Sequence, residues 1–198
     1  METAVEKRYT LEEYLKMEYH AKTRHYFYNG KVAPMPYTSD SHGSIVANLI
    51  GELHTQFKKT PFRVYPSDRM LYVPECRLNY YPDVMVVKGE PVFHRHTKKM
   101  QATLNPYALI EVLSDSTEED DRIDKWQCYR KISGLQQYFL VAQDRIYIDF
   151  YNRIDETRWE NSYVDQMDQQ VEIAGFRVRV EDIYLNVKFE KPEQKADQ

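Results

Sequence analysis

Cysteine is scarce in this sequence. Cys76 and Cys128 are the only two in 198 residues. That is too few for a disulfide framework, and their spacing is not that of a metal-binding cluster. A reducing compartment is the default expectation from such a count. Long apolar runs are missing as well, with no stretch approaching the ~18 consecutive apolar residues of a membrane span. The opening segment, METAVEKRYT, is charged and lacks an apolar core, so no signal peptide is expected. These absences point to a cytoplasmic protein without a membrane partner. Excess positive charge is also lacking. Lys and Arg number 27 against 31 Asp and Glu, a formal net charge of -4. That balance argues against coating nucleic acid by bulk charge, which needs clustered Lys and Arg, but it allows a local basic patch around a metal.

What is present describes a globular chain. Hydrophobic residues make up 42% and charged residues 29%, the balance of a soluble domain. The 17 tyrosines suit stacking on bases, but for most of them the stronger expectation is packing on half-buried sheet surfaces. There is no internal repeat and no linker. One domain over residues 1–187 is expected, followed by a polar tail over 188–198.

The pattern predicts an α/β fold with a mixed central sheet flanked by helices. Thr10-Leu11-Glu12-Glu13 is a capping box opening a short helix to about Met17. Residues 24–36 read as extended around an Asn29-Gly30 turn. Ile45, Leu49, Leu53 and Phe57 recur at i, i+4, giving a helix from near Ser41 with one apolar face. Strands are predicted at 62–65, 70–73, 84–87 and 107–113, with 84–87 apolar throughout, as in a strand buried on both faces. Ser116-Thr117-Glu118-Glu119 predicts a helix from about 117 to 132, stopping at Gly134. On it Ile123 and Trp126 are placed toward the core. Strands follow at 137–142, 146–151 and 159–164, then a hairpin over 171–180 and a last turn at 181–185.

Three residues stand out chemically. Asp83 follows Tyr81-Pro82 at the edge of a buried strand. Glu111 interrupts the apolar strand Leu109-Ile110-Glu111-Val112-Leu113, where an unpartnered carboxylate costs on the order of several kcal/mol. Two carboxylates from neighbouring strands can share a hard cation such as Mg²⁺. Asp121, Lys125 and Tyr129 fall at i, i+4, i+8 and form one helical stripe, so Lys125 can face the strand end and stabilise charge on a phosphate oxygen. Each residue also has an ordinary reading: Asp83 as a turn residue, Glu111 as an exposed strand end, Lys125 as a solvated pair with Asp121. His94-x-His96 lies among Arg95, Lys98 and Lys99, a stretch better suited to phosphate contact than to a two-histidine metal site.

Taken together, the order of these motifs resembles the Uma-type restriction-endonuclease-like family of the PD-(D/E)xK phosphodiesterase superfamily. The resemblance runs from Tyr9-Thr10-Leu11-Glu12-Glu13-Tyr14 to Asp182-Ile183-Tyr184. Its most specific part is Glu111-Val112-Leu113-Ser114, then Ser116-Thr117, Asp121, Lys125, Tyr129 and Gln137-Tyr138-Phe139-Leu140-Val141. Ser67-Asp68, Tyr80-Tyr81-Pro82-Asp83-Val84, Asn29-Gly30-Lys31-Val32 and His42 match upstream.

The resemblance implies a Mg²⁺-dependent DNA endonuclease, with Mn²⁺ as a substitute ion. Asp83 and Glu111 would hold the metal, Lys125 would complete the catalytic set, and His42, Asp121 and Tyr129 would support it. The usual superfamily lysine lies two residues after the second acid, where this chain has Leu113; Lys125 matches a lysine moved to the next helix. DNA is the implied partner, and a homodimer is one arrangement that cuts both strands. Two positions depart from the pattern: Tyr26 stands where the family carries an acid, and Asn29 where its turn carries one. That leaves open a catalytically weak or inactive module that binds nucleic acid or a protein partner.

Overall fold

The computed structural model describes residues 7–35, 38–98, 100–114 and 120–189, except for the side chains of Asp120 and Asp121. The second capping box and Lys99 lie outside the described residues. Helix α1 (Leu11–His20) starts at the expected box: Thr10 Oγ1 accepts from the Glu13 amide at 3.1 Å, and Glu13 Oε2 accepts from the Thr10 amide at 2.7 Å. It runs one turn beyond Met17. Strands β1 (His25–Tyr28) and β2 (Lys31–Pro34) form the hairpin. Asn29 and Gly30 take the positive φ values, 46° and 84°, that its tight turn demands. Helix α2 (Asp40–Gln56) is capped by Ser39, whose side chain accepts from the His42 amide. Its buried residues Ile45, Leu49 and Leu53 lie on the sheet.

The central sheet is mixed and six-stranded, in the order β12-β11-β10-β9-β6-β3. Its strands are β3 (Phe62–Pro66), β6 (Val84–Lys88), β9 (Ala108–Leu113), β10 (Gln137–Ala142), β11 (Ile148–Arg153) and β12 (Trp159–Val164). The adjacency of 84–87 and 107–113 holds, with Val84 opposite Ile110 and Val86 opposite Ala108. Among the described strands of this sheet, β9 and β10 are the pair that runs parallel, and such a pair requires a crossover, here over one face of the sheet. Side chains alternate between faces. Ala108, Ile110 and Val112 join one core with α2, while Leu109 and Leu113 join the other.

A second six-stranded sheet was not foreseen. It joins β1 and β2 to β4 (Leu71–Val73), β5 (Leu78–Tyr80), β7 (Phe93–Arg95) and β8 (Gln101–Thr103), in the order β2-β1-β5-β4-β8-β7. Four of its strands have only three residues, too short for an alternating pattern to emerge. Leu71, Val73, Leu78 and Tyr80 close the second core against the central sheet. A hairpin, β13 (Gln170–Ile173) with β14 (Phe176–Arg179), and helix α4 (Val180–Ile183) cover the first.

The crossover departs from expectation in three ways. Its helix is not a continuous α-helix to 132 but a π-helical turn, Asp120–Lys125, followed by the single-turn α3 (Trp126–Tyr129). The helix stops early because the Arg153 guanidinium takes the carbonyls of Arg130, Ile132 and Leu135 at 2.6–2.9 Å, the acceptors that a helix end leaves unmet. Ile123 does not face the core and is 48% exposed, since the wider turn shifts the stripe; Trp126 stacks instead on Tyr138 and Tyr151. The two cysteines, too few for a framework, still form one bond, Cys76–Cys128. A separation of 52 residues leaves no spacing signal for it.

Candidate active site

The site begins where the β6–β9 ladder ends. Continuing the register beyond Val84–Ile110 sets Asp83 beside Glu111 and Pro82 beside Val112. Proline has no amide to offer the ladder. The Val112 amide instead donates to Asp83 Oδ2 at 2.8 Å. His42 Nε2 lies 3.2 Å from the same oxygen, placed there by the first turn of α2. The Asp83 side chain keeps 15% of its surface exposed, so it is anchored by one oxygen at the mouth of the site.

Glu111 shares a face with Leu109 and Leu113 and is 2% exposed. A carboxylate buried this deeply needs charge compensation. Tyr129 OH donates to its Oε1 at 3.0 Å, and Lys125 Nζ lies 3.6 Å from its Oε2. Lys125 is itself buried, at 6%, and its ammonium rests 3.6 Å from the centre of the Tyr80 ring, a cation–π contact on the second sheet. The solvated-pair reading of Lys125 therefore does not apply. Tyr26 packs on Tyr80 at 5.6 Å, so it belongs to the same wall.

His42 thus lies against Asp83, Lys125 and Tyr129 lie against Glu111, and the strand register sets the two acids side by side. The side chain of Asp121 and all of Lys99 lie outside the described residues. Arg95 and Lys98 are exposed and not part of the cluster. Strand β7 lies three strands from β5, on the order of 14 Å away. His94 and His96 pack against Tyr72, and His96 Nε2 lies 2.8 Å from Asn79 Oδ1. Burial first, then the neighbouring His94, push the His96 pKa down to about 4. The ring is neutral, with Nε2 engaged as a donor rather than a metal ligand.

The sequence reading missed a second polar pair on this face. Glu111 aligns with Leu140 and Leu140 with Asp149, so the two acids lie in one row, two strands apart. The Asp149 carboxylate, 11% exposed, accepts from Arg122 Nη1 at 2.7 Å and from Asn161 Nδ2 at 2.6 Å. The π-helical turn is thereby pinned to the sheet at both ends, by Arg122 on Asp149 and by Lys125 on Glu111. Asp149 interrupts an apolar run just as Glu111 does, so the same signal was available.

The donor set suits a hard divalent cation. Carboxylate oxygens are the preferred protein ligands of Mg²⁺, which commonly takes one or two and fills its remaining positions with water and phosphate oxygens. Among the described residues, no group of three or more His, Cys, Asp or Glu is placed to hold a metal.

Comparison with known proteins agrees with this architecture. A protein from Anabaena variabilis, described as "a putative nuclease belonging to DUF820", superposes with a TM-score of 0.70 at 16% identity, covering 89% of this chain and 97% of that one. Two Synechocystis proteins align along most of their length: sll1609 at 31% identity over 80% of this chain and 89% of its own, and slr1290 at 28% over 90% and 92%. Residues 11–187 match the family model Uma2, described as "putative restriction endonuclease". A match over that span, the shared fold and the relatives' similarity lead to one assignment: the chain belongs to the Uma2 family of restriction-endonuclease-like proteins.

Proposed function

We propose that this protein hydrolyses phosphodiester bonds in DNA with the help of Mg²⁺, or Mn²⁺ in its place. What supports the reading is the register that sets Asp83 beside Glu111 at the end of paired strands, with a buried lysine against Glu111. Asp83 and Glu111 would hold the ion, which would neutralise the scissile phosphate and activate water. His42 and the Val112 amide orient Asp83. Tyr129 fixes one Glu111 oxygen. Lys125 presents its ammonium where negative charge grows on the phosphoryl oxygens, in a site whose burial strengthens that attraction. Arg95, Lys98 and Lys99 would contact phosphates away from the cleaved bond.

The test is a cleavage assay on plasmid and single-stranded DNA with Mg²⁺ or Mn²⁺. The parent should cut and Asp83→Asn should not. By calorimetry Glu111→Gln should weaken Mn²⁺ binding; an unchanged affinity removes Glu111 from the metal site. A second reading, a nuclease-fold module that binds nucleic acid or a protein without cutting, is favoured by Tyr26, an aromatic side chain where the family carries an acid. Mn²⁺ binding without cleavage would decide for it.

A further inference from the structure

We propose that Cys76 and Cys128 form a reversible thiol–disulfide site that controls how firmly Lys125 is held. Cys128 lies between Lys125 and Tyr129 on the crossover helix and is 2% exposed. Cys76 ends a short helical turn (Pro74–Cys76) between β4 and β5, and β5 supplies Tyr80, the ring against the Lys125 ammonium. Their bond therefore joins the two walls of the site, one bearing Lys125 and Tyr129, the other Tyr80.

The two sulfurs differ in access. Cys76 is half-buried, and Lys131 Nζ lies 3.7 Å from its Sγ. A low-molecular-weight thiol can reach Cys76 and not Cys128. Its thiolate attacks Cys76 Sγ, and Cys128 leaves as a thiolate and takes a proton. A second thiol then attacks the outer sulfur of the mixed disulfide. Cys76 is released as a thiol, and the two small thiols depart as their disulfide. The reverse uses that small disulfide as oxidant, with Cys76 as the attacking thiolate, its charge favoured by the Lys131 ammonium. Reduction detaches the β4–β5 turn from the crossover helix and loosens Tyr80 over Lys125.

The consequence for cleavage rests on the nuclease reading; the consequence for Lys125 does not, and is measured separately. The full chain is oxidised with glutathione disulfide or reduced with dithiothreitol. Each form is acylated with an amine-reactive ester, and Lys125 labelling is read by peptide mass spectrometry against Lys16, whose side chain is 74% exposed. The relative labelling of Lys125 should be about fivefold faster in the reduced form, as a locally opened site reacts faster. Cys76→Ser should label at the reduced rate whichever reagent is used. Equal rates in the two forms, a Cys76→Ser variant that still responds, or two alkylatable thiols remaining after oxidation would overturn the proposal. Slower plasmid cleavage by the reduced form extends it to the proposed activity. If Lys125 labelling switches while neither form cuts DNA, the redox site stands and the nuclease reading fails.

Discussion

Removing the Lys125 ammonium leaves Glu111 a charge at 2% exposure with the Tyr129 hydroxyl beside it. Breaking one partner of such a pair costs about 3–5 kcal/mol, so a loss of activity in Lys125→Ala could reflect unfolding. Lys125→Met keeps the apolar stem and is the cleaner variant. Its urea midpoint should fall by an amount in that range. Its Mn²⁺ affinity by calorimetry should be equal to or tighter than the parent's, because an ammonium 3.6 Å from Glu111 competes with a cation for that carboxylate. Turnover should drop steeply all the same, since the lysine serves the transition state more than the ion. Weaker Mn²⁺ binding in Lys125→Met would mean that the lysine shapes the metal site rather than completing it. At this scale the sequence was informative: a charge within an apolar strand and an acid after proline both mark the place where side chains meet. Tyr80 was legible only as a neighbour of that motif, because a cation–π contact between two sheets leaves no spacing pattern.

The crossover element was harder to read, and for a physical reason. A regular α-helix puts Asp121, Lys125 and Tyr129 on one stripe, but bonds of the i→i+5 kind widen the turn. Ile123 then swings out to solvent, while Arg122 reaches Asp149. The Arg122–Asp149–Asn161 contacts hold a turn that would be unfavourable in isolation, so they should matter more than a surface ion pair. Arg122→Gln and Asp149→Asn should each cost on the order of 2 kcal/mol in urea unfolding, and the double variant clearly less than their sum. Additive costs would show that the pair does not act as a unit. The same element hides the cysteine bond, since residues 52 apart in sequence meet only once the crossover has folded back. Long periodic segments such as α2 and the strands around Glu111 were legible because burial imposes their pattern. Three-residue strands carry too little pattern to declare a second sheet.

At the scale of the whole molecule, acid and alkali act through different groups. His96 has its pKa lowered from 6.5 to about 4 by burial and by His94. Between those values the unfolded chain binds a proton that the folded one refuses, so stability is present above pH 6.5 and declines as pH falls toward 4. Discounted for its partial exposure, this contribution is on the order of 1–2 kcal/mol. Asp155 is held down at about 2 from 3.8 by the Thr157 and Arg158 groups that hydrogen-bond it, so its contribution persists until still lower pH. On the alkaline side, burial raises the pKa values of Tyr14, Tyr81 and Tyr184 above the ordinary 10.0. A raised pKa stabilises the neutral, folded form below pH 10, and that stability is lost as pH rises further. The expected profile is a plateau between about pH 6.5 and 10 that falls on both sides. Urea midpoints measured from pH 4 to 11 would trace it. His96→Asn should remove most of the decline between pH 6.5 and 4 while leaving the alkaline limb unchanged, because the three tyrosines lie in other contacts. If the acid limb of His96→Asn matches the parent's, the proton uptake belongs to another group, and the neutral His96 beside Asn79 has no part in the acid response.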